Sequence, residues 1–424
     1  MFLTIFMNTN QLKEVITSQN EEFLKPQKYV KRELLQKVNS YKDLPHIIIL
    51  KGIRRCGKSI LLKQINEENY DLKKAYINFD DERLLSFNIS YFDKLYETFV
   101  SLGETKTFFF DEIQNVEEWE RAIRRLYDKK IKFYITGSNA SMLGKELGTK
   151  LTGRYIQLEL YPFSFKEYLI FYELNLKKED FFLTEKKAKI KNYFEKYFSE
   201  GGMPEYLLYE KKEIIQQTYE DILIKDILVR YKIENDKQLR NLTKYLLSNT
   251  GKLFSYNKLK NILGMGSINT VIKYISYLED SYLMFELEKY DYSYKKQIQQ
   301  NKKIYAIDNS FINIVSFETT QNKGRKLENT VFIELKRRGK EVYYHREKHE
   351  CDFLVREGLK IVEAIQVCYD FNEENEDREI KGLLEAITKH KLKEGLLLTY
   401  DEEKELIVEN KKITVMPVWK WLLQ

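Results

Sequence analysis

Proline is scarce, at 5 in 424 residues, which excludes long proline-rich linkers and implies domains joined by short connections. Cysteine is scarcer. Three in so long a chain make no disulfide framework, and a reducing cytoplasm is the expected setting. The chain has no apolar run approaching the roughly eighteen residues of a membrane-spanning helix, so no membrane partner is expected. The opening MFLTIFM lacks a basic segment and is too short for a signal peptide, and Met7 is a second candidate start. Neither charge sign dominates: 71 basic against 65 acidic residues leave +6, which permits nucleic-acid binding without arguing for it. Internal repeats and low-complexity blocks are also missing.

What the chain does have is length and apolar content. Its 424 residues exceed one ordinary hydrophobic core, and 43% hydrophobic with 32% charged residues describe two to four folded domains.

The most informative stretch is HIIILKGIRRCGKSILLKQIN. HIIIL has the length and branching of a buried strand, and SILLKQIN has helical spacing. Between them, Gly52, Gly57, Lys58 and Ser59 fit the phosphate-loop pattern G-x-x-x-x-G-K-[ST]. Glycines let backbone N–H groups wrap a phosphate chain, and the following helix aims its positive end at the same anion. Lys58 is expected on the β- and γ-phosphates and the Ser59 hydroxyl on Mg²⁺. Gly52, Arg54, Arg55, Cys56, Gly57, Lys58, Ser59 and Ile60 form the expected nucleotide contact. Arg54 and Arg55 fill variable positions, where phosphate, a neighbouring subunit or solvent are all open to them. Cys56 is either a small filler or an oxidation-sensitive thiol.

A second strand, Thr107 to Phe110, ends in Asp111 and Glu112. Ligands of an open α/β sheet gather at the carboxyl ends of strands. Asp111 is expected to hold Mg²⁺ through water, and Glu112 to orient or deprotonate the attacking water. A third strand, Phe133 to Thr136, leads into Gly137, Ser138 and Asn139. Thr136, Ser138 and Asn139 are candidates to reach the γ-phosphate or the water, against the plainer reading of a turn closing the strand. Arg154 is a candidate arginine finger, acting in its own subunit or in a neighbour's, against the reading of a structural surface arginine. A finger acting on a neighbour implies an oligomer.

Together GIRRCGKS, FFFDEIQNV, YITGSNAS and GRYIQLELYPFSFKEYL resemble the AAA-type P-loop ATPases of bacteria and archaea. In particular they resemble the subgroup in which a nuclease-like domain of unknown function follows the ATPase. The resemblance extends over nearly the whole chain. It implies an α/β fold class with ATP and Mg²⁺ as cofactors, and it adds Arg32 of YVKREL as a residue flanking the adenine pocket.

Four domains are expected. An ATPase core spans 1–165 and a helical lid 166–240, where EGGMP suits a hinge or an interhelix loop. Residues 241–310 resemble a winged helix with Ile268 to Leu278 as recognition helix, Ser267 as its N-cap, and Asn269, Lys273 and Ser276 exposed. SYKKQIQQNKKIYAID is expected as a wing, an edge strand or a solvated turn. Residues 311–424 resemble a restriction-endonuclease-like domain in which Glu328 matches the helix acid and Asp352 the central acid. The E-x-K slot falls on Gln366-Val367-Cys368, with Gln366 and Cys368 on one face and Glu363 on the other. Two anionic ligands and no lysine bind Mg²⁺ poorly, so a degenerate domain is expected. His345, His349 and Cys351 share a strand face, but without a CxxC pair they do not make a zinc site. The expected function is ATP hydrolysis coupled to duplex DNA or a protein partner. The alternatives are a slow nucleotide-gated protein-binding switch and, behind it, an ATP-dependent nuclease.

Overall fold

The computed structural model describes residues 9–70, 72–138, 151–316 and 322–424. Met7 and Asn139 lie outside these residues. The chain divides into two compact units, one of residues 1–160 with 280–282 and one of residues 161–279 with 283–424.

The first unit is built on five parallel strands: β1 (Ile47–Lys51), β2 (Tyr76–Asn78), β3 (Thr107–Asp111), β4 (Lys132–Gly137) and β5 (Tyr155–Glu159). Their order is β2-β3-β4-β1-β5. The central strands are buried along their length, as parallel strands covered on both faces must be, and IIILK, TFFFD and KFYITG supply the branched and aromatic residues for it. One face carries an aromatic core in which Phe99, Phe110 and Phe133 surround Phe108. Helices α1 (Thr9–Leu24), α2 (Leu34–Asn39), α3 (Lys58–Asn69), α4 (Phe92–Ser101) and α5 (Trp119–Tyr127) accompany the sheet. The edge strand β2 is covered by amides of α1: Tyr76 N–H donates to Asn20 Oδ1 at 3.1 Å and Asn78 N–H to Gln19 Oε1 at 2.8 Å. These bonds close an edge that would otherwise invite strand pairing.

The second unit holds helices Phe165–Phe171, Thr184–Glu200, Pro204–Tyr209 and Lys212–Asp221, the last continued by a π-helical run over Ile222–Val229. EGGMP is a locked corner rather than a hinge. Gly202 N–H donates to Asp308 Oδ2 at 2.7 Å, Phe163 N–H donates to Gly202 O at 2.8 Å, and a Cβ on either glycine would overlap Asp308 or Phe163 O.

Helices Asp236–Ser248, Tyr256–Ile262 and Ile268–Asp280 accompany a three-stranded antiparallel sheet of β6 (Leu253–Phe254), β7 (Met284–Leu287) and β8 (Lys302–Ala306). Ser267 Oγ accepts the Thr270 N–H at 3.0 Å, as its capping role requires. Asn269 and Lys273 are exposed, and Ser276 is half-buried with its hydroxyl on Lys273 O. The basic segment before residue 306 corrects the expectation. It forms helix Tyr294–Gln299 and then β8, which is the central strand of its sheet, with Lys302 and Lys303 buried. Both lysines find carboxylates inside the fold, and that is why a basic pair can sit mid-sheet.

The chain closes with helix Lys323–Arg337 and a six-stranded mixed sheet, order β13-β14-β12-β11-β10-β9. Its strands are β9 (Glu341–Arg346), β10 (Glu350–Glu357), β11 (Lys360–Cys368), β12 (Glu394–Thr399), β13 (Lys404–Val408) and β14 (Lys411–Pro417), with helix Glu376–Lys389 inserted after β11. The shared face expected of His345, His349 and Cys351 does not form. His349 sits on the turn after β9, Cys351 packs in the core, and the His345 ring pairs with Glu385 at 2.9 Å.

Candidate nucleotide site

The loop between β1 and α3 is shaped by two glycines. Gly57 has φ 97°, which an L side chain rarely adopts, and a Cβ on Gly52 would overlap Leu160 O. Cys56 fits because it is small; it is fully buried, and burial pushes its thiol pKa up, which favours the filler reading. Arg32 lies against the loop. Its Nη1 donates to Cys56 O at 2.7 Å, and its backbone N–H donates to Gln64 Oε1 at 3.0 Å. The structure thus places Arg32 on the loop backbone.

Lys58 is 4% exposed and donates to Gly52 O at 3.1 Å and Ile53 O at 3.2 Å. Its Nζ is 3.5 Å from Glu112 Oε1. Ser59 is exposed at the first turn of α3 and hydrogen-bonds Asp111. The phosphate-loop lysine and serine therefore meet the two acids that end β3, although β4 lies between β3 and β1 in the sheet.

Thr136 of β4 bridges that gap. Its hydroxyl donates to Asp111 Oδ1 and accepts the Glu112 N–H at 3.0 Å. The N–H it holds belongs to a residue at φ 50°, ψ 44°, left-handed backbone that costs a glutamate about 1–2 kcal/mol. Tyr76 O–H donates to Asp111 Oδ2 at 2.9 Å. Gln114 Nε2 donates to Glu112 Oε2 and lies 3.4 Å from Ser138 Oγ.

The two acids differ electrostatically. Burial and the neighbouring Glu112 push Asp111 up, against hydrogen bonds from Ser59, Thr136 and Tyr76. Burial pushes Glu112 up too, but Lys58, the Gln114 amide and Arg54 outweigh it and hold this carboxyl below its ordinary range. The donors gathered here are hard oxygens beside a lysine and a glycine loop, a set that suits Mg²⁺ and phosphate.

Of the expected residues, Gly52, Cys56, Gly57, Lys58, Ser59, Arg32, Asp111 and Glu112 come together. Ile60 follows on α3, half-buried, as are Arg54 and Arg55 in the loop. Arg154 does not reach the loop in its own chain. Ile47 pairs with Tyr155, so Arg154 stands at the amino end of the sheet, roughly 13 Å along β1 from the phosphate loop, with its guanidinium 5.9 Å from the Tyr127 ring centroid. Tyr76 and Gln114 were not singled out by sequence. The order of the sheet decides their positions, and no local motif marks them.

In the second unit Glu328, Asp352 and Gln366 line one cavity, with Cys368 beside them. The expectation of two acids and no lysine is corrected. Glu350, Glu379 and Lys303 stand in the same place, with Lys303 contributed by β8. Glu363 is not among the lining residues.

Comparison with known proteins matches two stretches of the chain. An AAA domain family matches residues 44–169, and a domain of unknown function (DUF8612) matches residues 191–322. An uncharacterized protein of Methanocaldococcus jannaschii is 36% identical over 97% of this chain and 95% of its own length. An uncharacterized protein of Haemophilus influenzae is 30% identical over 92% of this chain and 97% of its own. Among solved structures, AMPPCP-bound DnaA from Aquifex aeolicus shares 16% identity over 59% of this chain and 89% of that one, with TM-score 0.25. Drosophila ORC bound to AT-rich DNA and Cdc6 shares 13% over 72% and 93%, with TM-score 0.23. Scores this low carry no argument. The identity over nearly full length does: the chain belongs to the same family as the M. jannaschii and H. influenzae proteins, and its residues 44–169 match an AAA domain family.

Proposed function

We propose that the chain binds ATP with Mg²⁺ at the β1–α3 loop, hydrolyses it, and couples the nucleotide state to binding of DNA or a protein by its second unit. The observation that carries this reading is the meeting of Lys58, Ser59, Asp111 and Glu112 at one end of the parallel sheet. Bound Mg²⁺ would neutralise charge on the phosphates. Ser59 and Asp111 would hold it, and Lys58 would hold the phosphates with the loop N–H groups. Glu112, whose carboxyl Lys58 and Arg54 hold below its ordinary range before nucleotide enters, is the base that orients the water. Lys58 must leave Glu112 to reach phosphate, so nucleotide entry itself frees the carboxylate. Arg32 braces the loop. Asn139 remains a candidate for the γ-phosphate. Arg154, remote from its own loop, is a finger only for a neighbouring subunit, which requires an oligomer.

In this reading residues 1–165 are the ATPase core, 166–240 a lid, 241–310 a winged helix presenting Asn269 and Lys273, and 311–424 a nuclease-like domain. Steady-state hydrolysis by wild type and Glu112→Gln tests it. Glu112→Gln keeps ATP binding and loses turnover; unchanged turnover sinks the assignment.

A second reading, a slow nucleotide-gated protein-binding switch, is favoured by the Lys58–Glu112 pair, which must open before turnover. Turnover far below about 1 per second, by analogy with unassisted GTPases, supports it.

A further inference from the structure

The second unit holds a cavity of about 680 Å³ that the nucleotide reading does not use. Its floor is a charge cluster. Lys303, 2% exposed, places Nζ 2.8 Å from Glu328 Oε1, 2.8 Å from Glu350 Oε1 and 2.9 Å from Asp352 Oδ1. Burial lowers its pKa, but Asp352 and Glu328 outweigh that and hold it well above the ordinary value. Three carboxylate oxygens from a helix and a strand thus surround one point of positive charge. The distances are those of an ammonium, not the roughly 2.0–2.1 Å of Mg²⁺.

The acids have further hydrogen-bond and ion-pair partners. Asp352 Oδ2 accepts the Val367 N–H at 3.1 Å, Tyr305 O–H donates to Glu328, and Glu379 accepts Gln366 Nε2 at 2.6 Å and pairs with Arg378. Five acidic and four basic side chains line the cavity, and the ammonium beneath brings the balance to zero. Glu328, Glu350 and Asp352 meet the ammonium inward, while Arg346, Lys348 and Arg378 are exposed around the mouth together with Asp370; Arg346 also pairs with Glu350 and Arg378 with Glu379. Helix Lys323–Arg337 adds to this. Its first turn borders the cavity and carries Lys323 and Arg325 with no acid, although the helix dipole favours an anion there.

We propose that this cavity is a metal-independent cleft for a phosphodiester backbone, in which the Lys303 ammonium takes the place a divalent cation would have among Glu328, Glu350 and Asp352. An ammonium neutralises the acids but cannot activate a water as a metal ion does, so the cleft binds and does not cut. The proposal deepens the partner half of the proposed function and stands apart from the ATP site, because its test contains no ATP.

The test is fluorescence anisotropy of labelled DNA and RNA duplexes of one sequence with the full chain, in EDTA, across a salt range. Wild type is expected to bind one or both in EDTA, without gain on adding Mg²⁺ and without cleavage of the label strand; the tighter duplex names the polymer. Lys303→Met is expected to weaken binding at least tenfold in EDTA and to recover with Mn²⁺. Arg346→Ala with Lys348→Ala, which removes the 3.6 Å pairing of Arg346 with Glu350 but leaves Lys303 its three carboxylate contacts, is expected to lower the slope of log K against log salt by about 2. Binding that requires a divalent metal, cleavage in Mg²⁺ or Mn²⁺, no binding at all, or wild-type affinity and slope in the Arg346/Lys348 double variant would each overturn the proposal. The last arm decides even if Lys303→Met fails to fold.

Discussion

Thr136→Val removes one hydroxyl and almost no volume, yet it should be among the costliest single changes in the first unit. The hydroxyl donates to the buried Asp111 carboxylate and accepts the Glu112 N–H. A hydrogen bond to a charged group is worth about 1.5–3 kcal/mol, and a buried N–H left unsatisfied costs about 1–3 kcal/mol. The released N–H also belongs to a residue at φ 50°, so the strain it restrained is free to relax and carry the Glu112 carboxylate with it. Allowing for partial relaxation, the expected loss is about 2–4 kcal/mol. Trp119 is fully buried in the first unit, while Trp419 and Trp421 belong to the second. Urea titration followed by fluorescence in a Trp419→Phe/Trp421→Phe background therefore reports the first unit alone. ATP turnover should fall at least tenfold, with kcat affected more than KM, because Lys58 and the loop are untouched. Thr136→Ser should restore most of both. A valine variant with wild-type stability and turnover would show that Thr136 does not position the acids.

Gly202→Ala should destabilise the second unit by about 3 kcal/mol or more, since its Cβ meets the Phe163 backbone; far-UV melts should show this, with nucleotide binding retained. Cys56, buried with a raised pKa, should resist thiol reagents at pH 8 in the native chain and react at once in denaturant. Burial and Asp352 push Glu328 up to about 7 from an ordinary 4.5. As pH rises through that window the unfolded chain loses this proton first, so the native state binds more protons and stability of the second unit falls. Glu328→Gln should flatten that fall in denaturation curves taken from pH 5 to 7.5; an unchanged slope would assign it to another group.

Much of the first unit was legible because its signals are local. HIIIL, TKTFFF and KFYIT are apolar enough to be read as buried strands, and GIRRCGKS needs specific backbone angles that its glycines reveal. Glu112 and Asp111 were legible because they end a strand. What holds them was not, since Thr136, Tyr76 and Gln114 come together only through the order β2-β3-β4-β1-β5. The same reason hid Lys303. NKKIYAID looks like a wing, an edge strand or a solvated basic turn, and nothing nearby in sequence announces the carboxylates at Glu328, Glu350 and Asp352 that allow Lys303 to be buried. Glu350 could have been found, because it lies two residues before Asp352 on one strand and so on one face. Arg154 failed as a finger in its own chain because a motif gives sequence distance, while the register sets which end of the sheet it occupies.

The central claim is that Glu112 of the AAA domain drives ATP hydrolysis that the second unit senses. The most direct test is steady-state hydrolysis by wild type and Glu112→Gln, with and without duplex DNA, at two salt concentrations. The account predicts Mg²⁺-dependent turnover lost in Glu112→Gln, and stimulation by DNA that fades at high salt as phosphate contacts are screened. Turnover that survives Glu112→Gln would contradict it, and equal rates with and without DNA would leave a protein as the partner that the nucleotide state controls.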